Sequence, residues 1–223
     1  DWSGSYDAAS LTVPTGPSSG SLRVLRGGSW NFFAKDCRSA NRNDDDPADR
    51  VNGIGFRLVL GRDVDAASPQ EPETDVGAAS QSSVSDENSD VAWDANPAAG
   101  TRKVLTVDGV EYAFRYCPAG TFTMGSPESE RAGLDYTDNE TQREVTLTRG
   151  FWTLETEVTQ EMYEALTGAN PSNFSASGDG AGEVADLDTS RFPVEQVSWI
   201  DAQEFIAKLN AGGFAPDGFK FRL

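Results

Sequence analysis

The 223-residue sequence has no histidine and only two cysteines, Cys37 and Cys117. Without histidine, the chain cannot itself supply an imidazole base, a Ser-His-Asp triad or a His-ligated zinc or iron site. Two cysteines are too few for a cysteine-rich metal site or a disulfide framework. Their separation in sequence leaves open either one disulfide or two separate small buried thiols, and we expect the second.

Basic residues and long apolar runs are also scarce. The 18 Lys and Arg residues stand against 36 Asp and Glu, which gives a net charge of -18. Because nucleic acids and anionic membranes repel such a chain, neither is expected as a partner. No apolar run approaches the length that spans a bilayer. The five Trp, twelve Phe and five Tyr are enough for a folded core.

Charge divides the chain into three parts. Residues 1–61 carry seven acidic and seven basic residues, whereas 62–100 carry nine acidic residues and one arginine. Residues 62–100 are rich in Ala, Ser, Asp, Glu and Pro and have neither a helical nor a strand period, which predicts an acidic, disordered linker. So long a connection inside one compact domain is unusual, so we expect it to join two parts, 1–61 and 101–223.

Short strands and few helices predict the α+β class. A short strand that enters a tight, Gly-rich turn is expected within 23–30. Further strands are expected at 54–60, at 121–125 and at 144–148, with 41–53 a polar loop. Asp108-Gly109 between two apolar runs predicts a β-hairpin.

Two helices are predicted from their caps. Thr159 caps a helix over 160–167 that ends at Gly168. Ser198 and Asp201 form an acidic capping box for a second helix, which ends near Gly212. Its buried stripe is expected to comprise Ala202, Phe205, Ile206 and Leu209.

Six motifs together have a specific resemblance. They are CPAGTFTMGS (117–126), EVTQ (157–160), PVEQVSW (193–199), RGGSW (26–30), CRSANR (37–42) and IGFRL (54–58). In combination they resemble the formylglycine-generating enzyme (sulfatase-modifying factor) family, which implies a C-type-lectin-like α+β fold.

The motifs stand in an unusual order. In that family the MGS and EVT motifs open the domain and the GGSW and GFRL motifs close it, whereas here 1–61 resembles the closing part and 101–223 the opening part. The middle of the domain is absent. This order is typical of a window from a tandem array, with adjacent copies of the domain in the full-length protein, or of a circular permutant. Since each part has apolar faces to cover, we expect the two to dock as one domain.

The resemblance also implies an activity: oxidation of a sulfatase cysteine to formylglycine with copper and O₂. In the family, a cysteine pair between the GGS-[Tyr/Trp] and Cys-Arg motifs holds the copper, because Cu(I) prefers thiolates. Here that segment, 31–36, has no cysteine. We therefore expect no catalytic residues and no resident cofactor in this chain, although the complete domain of the family carries calcium.

Residues 43–46 (Asn-Asp-Asp-Asp) have the oxygen ligands that calcium prefers. Their spacing does not match an EF-hand loop, which favours a solvated acidic loop without a metal. Arg38, Arg42 and Arg50 are expected to neutralise it in part.

The candidate ligand-binding residues are Trp30, Asn31, Phe32, Phe33, Arg38 and Arg42. Aromatic side chains beside Asn and Arg are typical of recognition surfaces. The alternative is that Trp30 and one of the phenylalanines belong to the core. The ligand, protein or small molecule, is not readable from the sequence.

We therefore predict a non-catalytic binding or scaffold module, with the formylglycine-generating oxidase as the alternative. The acidic linker between modules suits a multidomain bacterial protein exported from the cytoplasm.

Overall fold

The computed structural model describes residues 1–4, 9, 11–12, 16–63, 92–131 and 140–223. Its strands are β1 (Leu11–Thr12), β2 (Arg23–Leu25), β3 (Asn43–Asp45), β4 (Val59–Arg62), β5 (Arg102–Val107), β6 (Val110–Cys117), β7 (Gly120–Met124), β8 (Arg143–Leu147), β9 (Phe151–Leu154) and β10 (Phe219–Arg222). Its α-helices are α1 (Glu128–Arg131), α2 (Gln160–Thr167) and α3 (Trp199–Ala211). This composition confirms the α+β class.

The chain forms two compact units. Unit 1 comprises Asp1–Asp49 and Ala119–Thr148, and unit 2 comprises Arg50–Pro118 and Arg149–Leu223. Each unit therefore contains chain from before and from after the acidic segment. The division into 1–61, 62–100 and 101–223 follows the order of the motifs, whereas the two units follow the packing.

Unit 2 contains an antiparallel five-stranded sheet in the order β10-β4-β9-β6-β5. Strand β4 lies inside this sheet, with Leu60 opposite Trp152 on β9 and opposite Phe221 on β10. The predicted strand 54–60 is confirmed only at Val59 and Leu60, although Phe56 and Leu58, which were expected on one face, are both buried. The regular ladder begins only at Val59.

Local signals in unit 2 are confirmed. Asp108 and Gly109 adopt positive φ angles of 47° and 85° in the turn between β5 and β6, as a two-residue hairpin requires. The Thr159 hydroxyl accepts a hydrogen bond from Met162 N at the start of α2, and Gly168 ends that helix in the left-handed region. Both hydrogen bonds of the capping box formed by Ser198 and Asp201 are present at α3.

The core of unit 2 lies between the sheet and the two helices. It includes the predicted stripe of α3. The buried members are Phe56, Leu58, Leu60, Val107, Tyr112, Phe114, Tyr116, Trp152, Leu154, Val158, Met162, Val194, Val197, Ala202, Phe205, Ile206, Leu209, Phe219 and Phe221.

The end of the acidic segment packs on this core. Most of the predicted linker, 64–91, lies outside the described residues, but 92–100 are described. Trp93 packs edge-on against Trp152 with ring centroids 5.0 Å apart, and its carbonyl accepts a hydrogen bond from Trp152 Nε1 at 3.0 Å. Residues 92–100 are thus part of unit 2, because an aromatic side chain gains more by covering the core than by remaining in solvent.

Unit 1 is built from a three-stranded sheet, β1-β8-β7, and a two-stranded sheet, β2-β3. The short strand predicted within 23–30 is confirmed as β2, and the strands predicted at 121–125 and 144–148 are confirmed as β7 and β8. The predicted polar loop over 41–53 is wrong at Asn43–Asp45, which pair with β2 in antiparallel register. Their ladder comes from a partner some twenty residues away, which local composition does not reveal.

Cys37 and Cys117 are both free thiols. The expectation that both are buried is wrong for Cys37, which is exposed because it follows a short surface 3-10 turn, Ala34–Asp36. Cys117 is half-buried at the end of β6, and burial raises the pKa of its thiol. No helix in the described part of the chain is long and apolar enough to cross a membrane.

Candidate functional site

A tight turn after β2 presents the candidate residues. Gly27 and Gly28 have φ angles of 93° and 75°, a region that favours glycine. A Cβ on Gly28 would lie 2.7 Å from the Cα of Cys37, so the close approach of these two segments also requires glycine there. The Phe32 amide donates to the Ser29 carbonyl at 3.1 Å, and the Asp36 amide donates to the Phe33 carbonyl at 2.8 Å. These bonds fix the backbone between Ser29 and Asp36.

Four consecutive residues, Trp30, Asn31, Phe32 and Phe33, form what we call the aromatic surface. Trp30 is 64% exposed, Phe32 42% and Phe33 76%, and Asn31 is exposed too. The alternative that Trp30 and one phenylalanine belong to the core is therefore wrong. The turn holds all four side chains outward, since its backbone hydrogen bonds are made within the loop itself.

The side chain of Arg38 links the turn to buried residues. Its Nη1 and Nη2 donate to Glu140 Oε2 and Oε1 at 2.6 and 2.8 Å, and Nη1 also donates to Ser126 Oγ at 3.0 Å. Ser126 and Glu140 are buried, and Arg38 Nε donates to the Lys35 carbonyl at 2.7 Å. The Glu140 carboxylate raises the pKa of Arg38. Arg38 thus forms a bidentate ion pair with Glu140, and this pair anchors the 3-10 turn.

Two of the three arginines expected to neutralise the acidic stretch 43–46 pair with other carboxylates instead. Arg38 binds Glu140, and Arg50 binds Asp201. Arg42 is half-buried, and its role in ligand binding stays a prediction. Within the acidic stretch, the Asp44 carboxylate accepts a hydrogen bond from the Ser3 hydroxyl, and Asp45 Oδ1 accepts one from the Asp46 amide at 3.0 Å.

In unit 2, two ion pairs join residues from the two sides of the acidic segment. Arg50 donates to both carboxylate oxygens of Asp201 at 2.6 Å, and Arg57 Nη2 donates to Glu157 Oε1 at 2.6 Å. Arg50 is the largest cause of an Asp201 pKa well below its usual range, helped by the Ser198 amide and hydroxyl against the effect of burial. Burial acts to raise the pKa of Glu157, but Arg57 and a backbone amide hold it below its usual value.

The thiols do not fit the copper site that the resemblance implies. The Cys37 thiol donates to the Ser29 carbonyl at 3.6 Å, and the turn beside it, 31–36, has no sulfur ligand. Cu(I) needs soft donors, and a backbone carbonyl is a hard one. Among the described residues, no group of three or more Cys, Asp or Glu side chains is placed to hold a metal ion.

Unit 2 has a shallow surface cleft. Trp93, Tyr116 and Trp152 form its aromatic wall, and Arg62 and Arg149 stand beside them. The Tyr116 hydroxyl donates to Asn96 Oδ1 at 2.7 Å across its floor. None of the four residues of the aromatic surface lines this cleft.

Small sheets of short strands with two longer helices define an α+β protein with a C-type-lectin-like fold. The chain matches the family model of the sulfatase-modifying factor enzyme 1-like domain over residues 1–62 and 111–223. It therefore belongs to this family, and the resemblance of its motifs is confirmed on both sides of the acidic segment.

One curated relative is a serine/threonine-protein kinase, pkn1, from Chlamydia caviae. It is 38% identical over 66 residues, which cover 27% of this chain and 10% of the kinase. The match thus spans about a tenth of that relative's length, and the kinase activity named for it is not assigned to this chain. No solved structure matches the chain.

Sequence reasoning found the aromatic surface but missed the residues that support it. Glu140 follows a polar stretch with no local pattern, and only its distance to Arg38 reveals its role. Glu195 was also missed: it is buried, and its Oε1 accepts a hydrogen bond from the Phe174 amide at 2.8 Å. A charged residue inside the apolar PVEQV run was the signal available for Glu195.

Proposed function

We propose that this chain is a non-catalytic binding or scaffold module of the sulfatase-modifying factor family. The observation that carries the proposal is the aromatic surface, where three large aromatic side chains are held outward on a turn with a fixed backbone. Exposing them costs hydrophobic free energy, and such exposure is typical of sites that a partner covers.

The favoured partner is a protein surface. Small-molecule sites are concave and bury most of their ligand, whereas the aromatic surface consists of four consecutive exposed side chains on a surface turn. Aromatic residues are enriched at the centres of protein interfaces, and Asn31 adds an amide for hydrogen bonds. Because the turn is already ordered by its own hydrogen bonds, little ordering entropy is lost on binding.

The oxidase alternative has weaker support. The turn 31–36 lacks cysteine, and the Cys37 thiol donates a hydrogen bond to the Ser29 carbonyl. A titration of the chain with Cu(I) in the presence of a chromogenic chelator tests this directly. We expect the chelator to keep the copper, for this chain and equally for the Cys37→Ser variant. Tight binding that Cys37→Ser abolishes contradicts the proposal and favours the oxidase.

A display library of random dodecapeptides tests the aromatic surface as a binding site. Peptides selected on the chain are expected to lose at least about tenfold in affinity for Trp30→Ala and Phe33→Ala, as at interface hot spots. The matched control is Phe122→Ala, an aromatic side chain of unit 1 that is 46% exposed. The proposal is overturned if selected peptides bind all three variants like the parent chain, or if no peptide is selected.

A further inference from the structure

Strand β4 reaches unit 2 from the segment that precedes the acidic one. Its neighbours on both sides, β9 and β10, come from the segment that follows it. Without β4 the sheet has a slot between these two strands, with Leu60 missing from its place opposite Trp152 and Phe221. Unpaired strand edges of this kind are templates for another strand.

The slot fits the segment 50–62 specifically. Phe56 packs edge-on against Phe205 with ring centroids 5.4 Å apart, and Leu58 is fully buried, with its carbonyl accepting from the Leu154 amide at 2.9 Å. A Cβ on Gly55 would lie 2.6 Å from the Val194 carbonyl oxygen, so that only glycine allows this approach. These contacts set one register, because a shift by one residue would turn the apolar face outward.

Charge adds to this specificity. Arg50 and Arg57 of the inserted segment pair with Asp201 and Glu157 of the receiving one. The donor segment 1–61 is neutral overall and the receiving segment 101–223 has a net charge of -10. Two receiving segments therefore repel each other, whereas the donor segment brings the arginines that match the slot.

The connection between the donor and receiving segments is much longer than is needed for β4 to pair with β9 and β10 of the same chain. Arg62 Nη2 lies 3.8 Å from Asp94 Oδ2, so the two ends of the connection are close together. Loops of about 2–6 residues commonly join neighbouring elements. Here 28 residues, 64–91, lie between the described ends. Fully extended, they reach about 90 Å.

We propose that the slot between β9 and β10 also receives the segment 50–62 of a second copy of this chain, by exchange of β4. The contacts in the exchanged pair are those within one chain, so only the effective concentration decides which copy fills the slot. Within one chain this concentration is on the order of 1 mM, so exchange is rare in dilute solution and competes when copies are concentrated or linked in series. The inference is independent of the aromatic surface.

Single-cysteine chains test the exchange. In a Cys37→Ser, Cys117→Ala background, one chain carries Val59→Cys and the other carries Thr153→Cys, two positions that face each other across β4 and β9. Facing positions in an antiparallel pair have Cα separations of about 4.5–5.5 Å, which suits a disulfide. The two chains are unfolded together in urea, refolded, oxidised and separated on a non-reducing gel.

A covalent heterodimer is expected, and its yield should rise about tenfold between about 0.01 and 0.1 mM chain. The matched control mixes a Thr121→Cys chain with a Thr153→Cys chain. A single chain that carries both Val59→Cys and Thr153→Cys is expected to form an intramolecular disulfide. The proposal is overturned if the doubly substituted chain closes but the mixed chains do not join at about 1 mM. It is equally overturned if the doubly substituted chain stays open, or if the control joins as well as the mixture.

Discussion

Unit 2 has an extensive buried apolar core, whereas the described part of unit 1 has little buried apolar surface. Unit 2 has a core of nineteen buried apolar residues drawn from sheet and helices. In the described part of unit 1, Val145 is the one buried apolar side chain, while Leu22, Trp30, Phe32, Phe33 and Phe122 are exposed. The buried residues of unit 1 otherwise include Ser126 and Glu140, which bind Arg38.

The two units therefore hold the same two chain segments, 1–61 and 101–223, together by different interactions. In unit 2, apolar burial around β4 provides the stabilisation, and the ion pairs at its rim select the register. In the described part of unit 1, strand ladders and the Arg38–Glu140 ion pair contribute to the structure, and Trp30, Phe32, Phe33 and Phe122 stay exposed. Regions with little buried apolar surface are the first to open, and they are common at binding sites.

The largest effect is expected for Leu58→Ala in unit 2. Leu58 is fully buried, so the truncation leaves a cavity and should lower the free energy of unfolding by about 3–5 kcal/mol. Urea unfolding followed by tryptophan fluorescence measures it. The control, Leu187→Ala, removes a side chain that is 57% exposed and should change stability by less than about 0.5 kcal/mol. Equal effects of the two substitutions contradict the packing of β4 in the core.

Glu140→Ala tests the ion pair that holds unit 1. It leaves the Arg38 guanidinium, which is 25% exposed, without its carboxylate, and should cost about 2–3 kcal/mol. Hydrogen exchange is expected to speed up at the amides of β7 and β8 and in the turn before Cys37. The double variant Arg38→Met, Glu140→Leu should recover part of the loss, because it leaves no unpaired charge. No recovery contradicts the assignment of the loss to the charge.

Lowering the pH should weaken the association of segments 1–61 and 101–223 in unit 2, because it protonates Asp201. Because the pKa of Asp201 is lowered in the folded chain, its contribution is complete above the unfolded pKa of about 3.9 and is lost as the pH falls towards the folded value. Arg50→Met removes the main cause of that shift. The variant should melt lower than the parent at pH 7, by less than Glu140→Ala does, and this difference should shrink below about pH 4. A difference that is constant from pH 7 to pH 3 contradicts the pairing.

The smallest effect on stability is expected for Phe33→Ala and Trp30→Ala. Both side chains are mostly exposed, so truncation should change the free energy of unfolding by less than about 0.5 kcal/mol. Thermal unfolding of the two variants beside the parent chain measures it. A loss above about 2 kcal/mol in either variant shows that the aromatic surface is part of a core, and removes the basis for its role in recognition.

Local signals in the sequence were sufficient for the hairpin and the two longer helices, but not for the single turn of α1. Asp108-Gly109 and the caps at Thr159 and Ser198 act on their own backbone within four residues, so that no distant partner is needed. The motifs of 1–62 and 111–223 established the family. The docking of the two parts could be predicted in outline, because each has an apolar face that requires cover.

Structural features that depend on contacts between residues distant in sequence could not be predicted. Asn43–Asp45 are poor strand formers and become β3 only through β2. Trp93 stands in an acidic stretch, and its packing on Trp152 depends on a strand 59 positions away. Glu140 has no local pattern that marks it as the partner of Arg38.

Cleavage of the acidic segment tests most directly that the two parts fold together. A protease recognition sequence inserted after Gly77 allows the folded chain to be cut into the two parts, which are then run through gel filtration without denaturant. The two fragments are expected to elute together, to keep the fluorescence of the uncut chain, and to separate only in urea. Separate elution in native buffer, with 101–223 retaining its fluorescence alone, would contradict the shared sheets of both units.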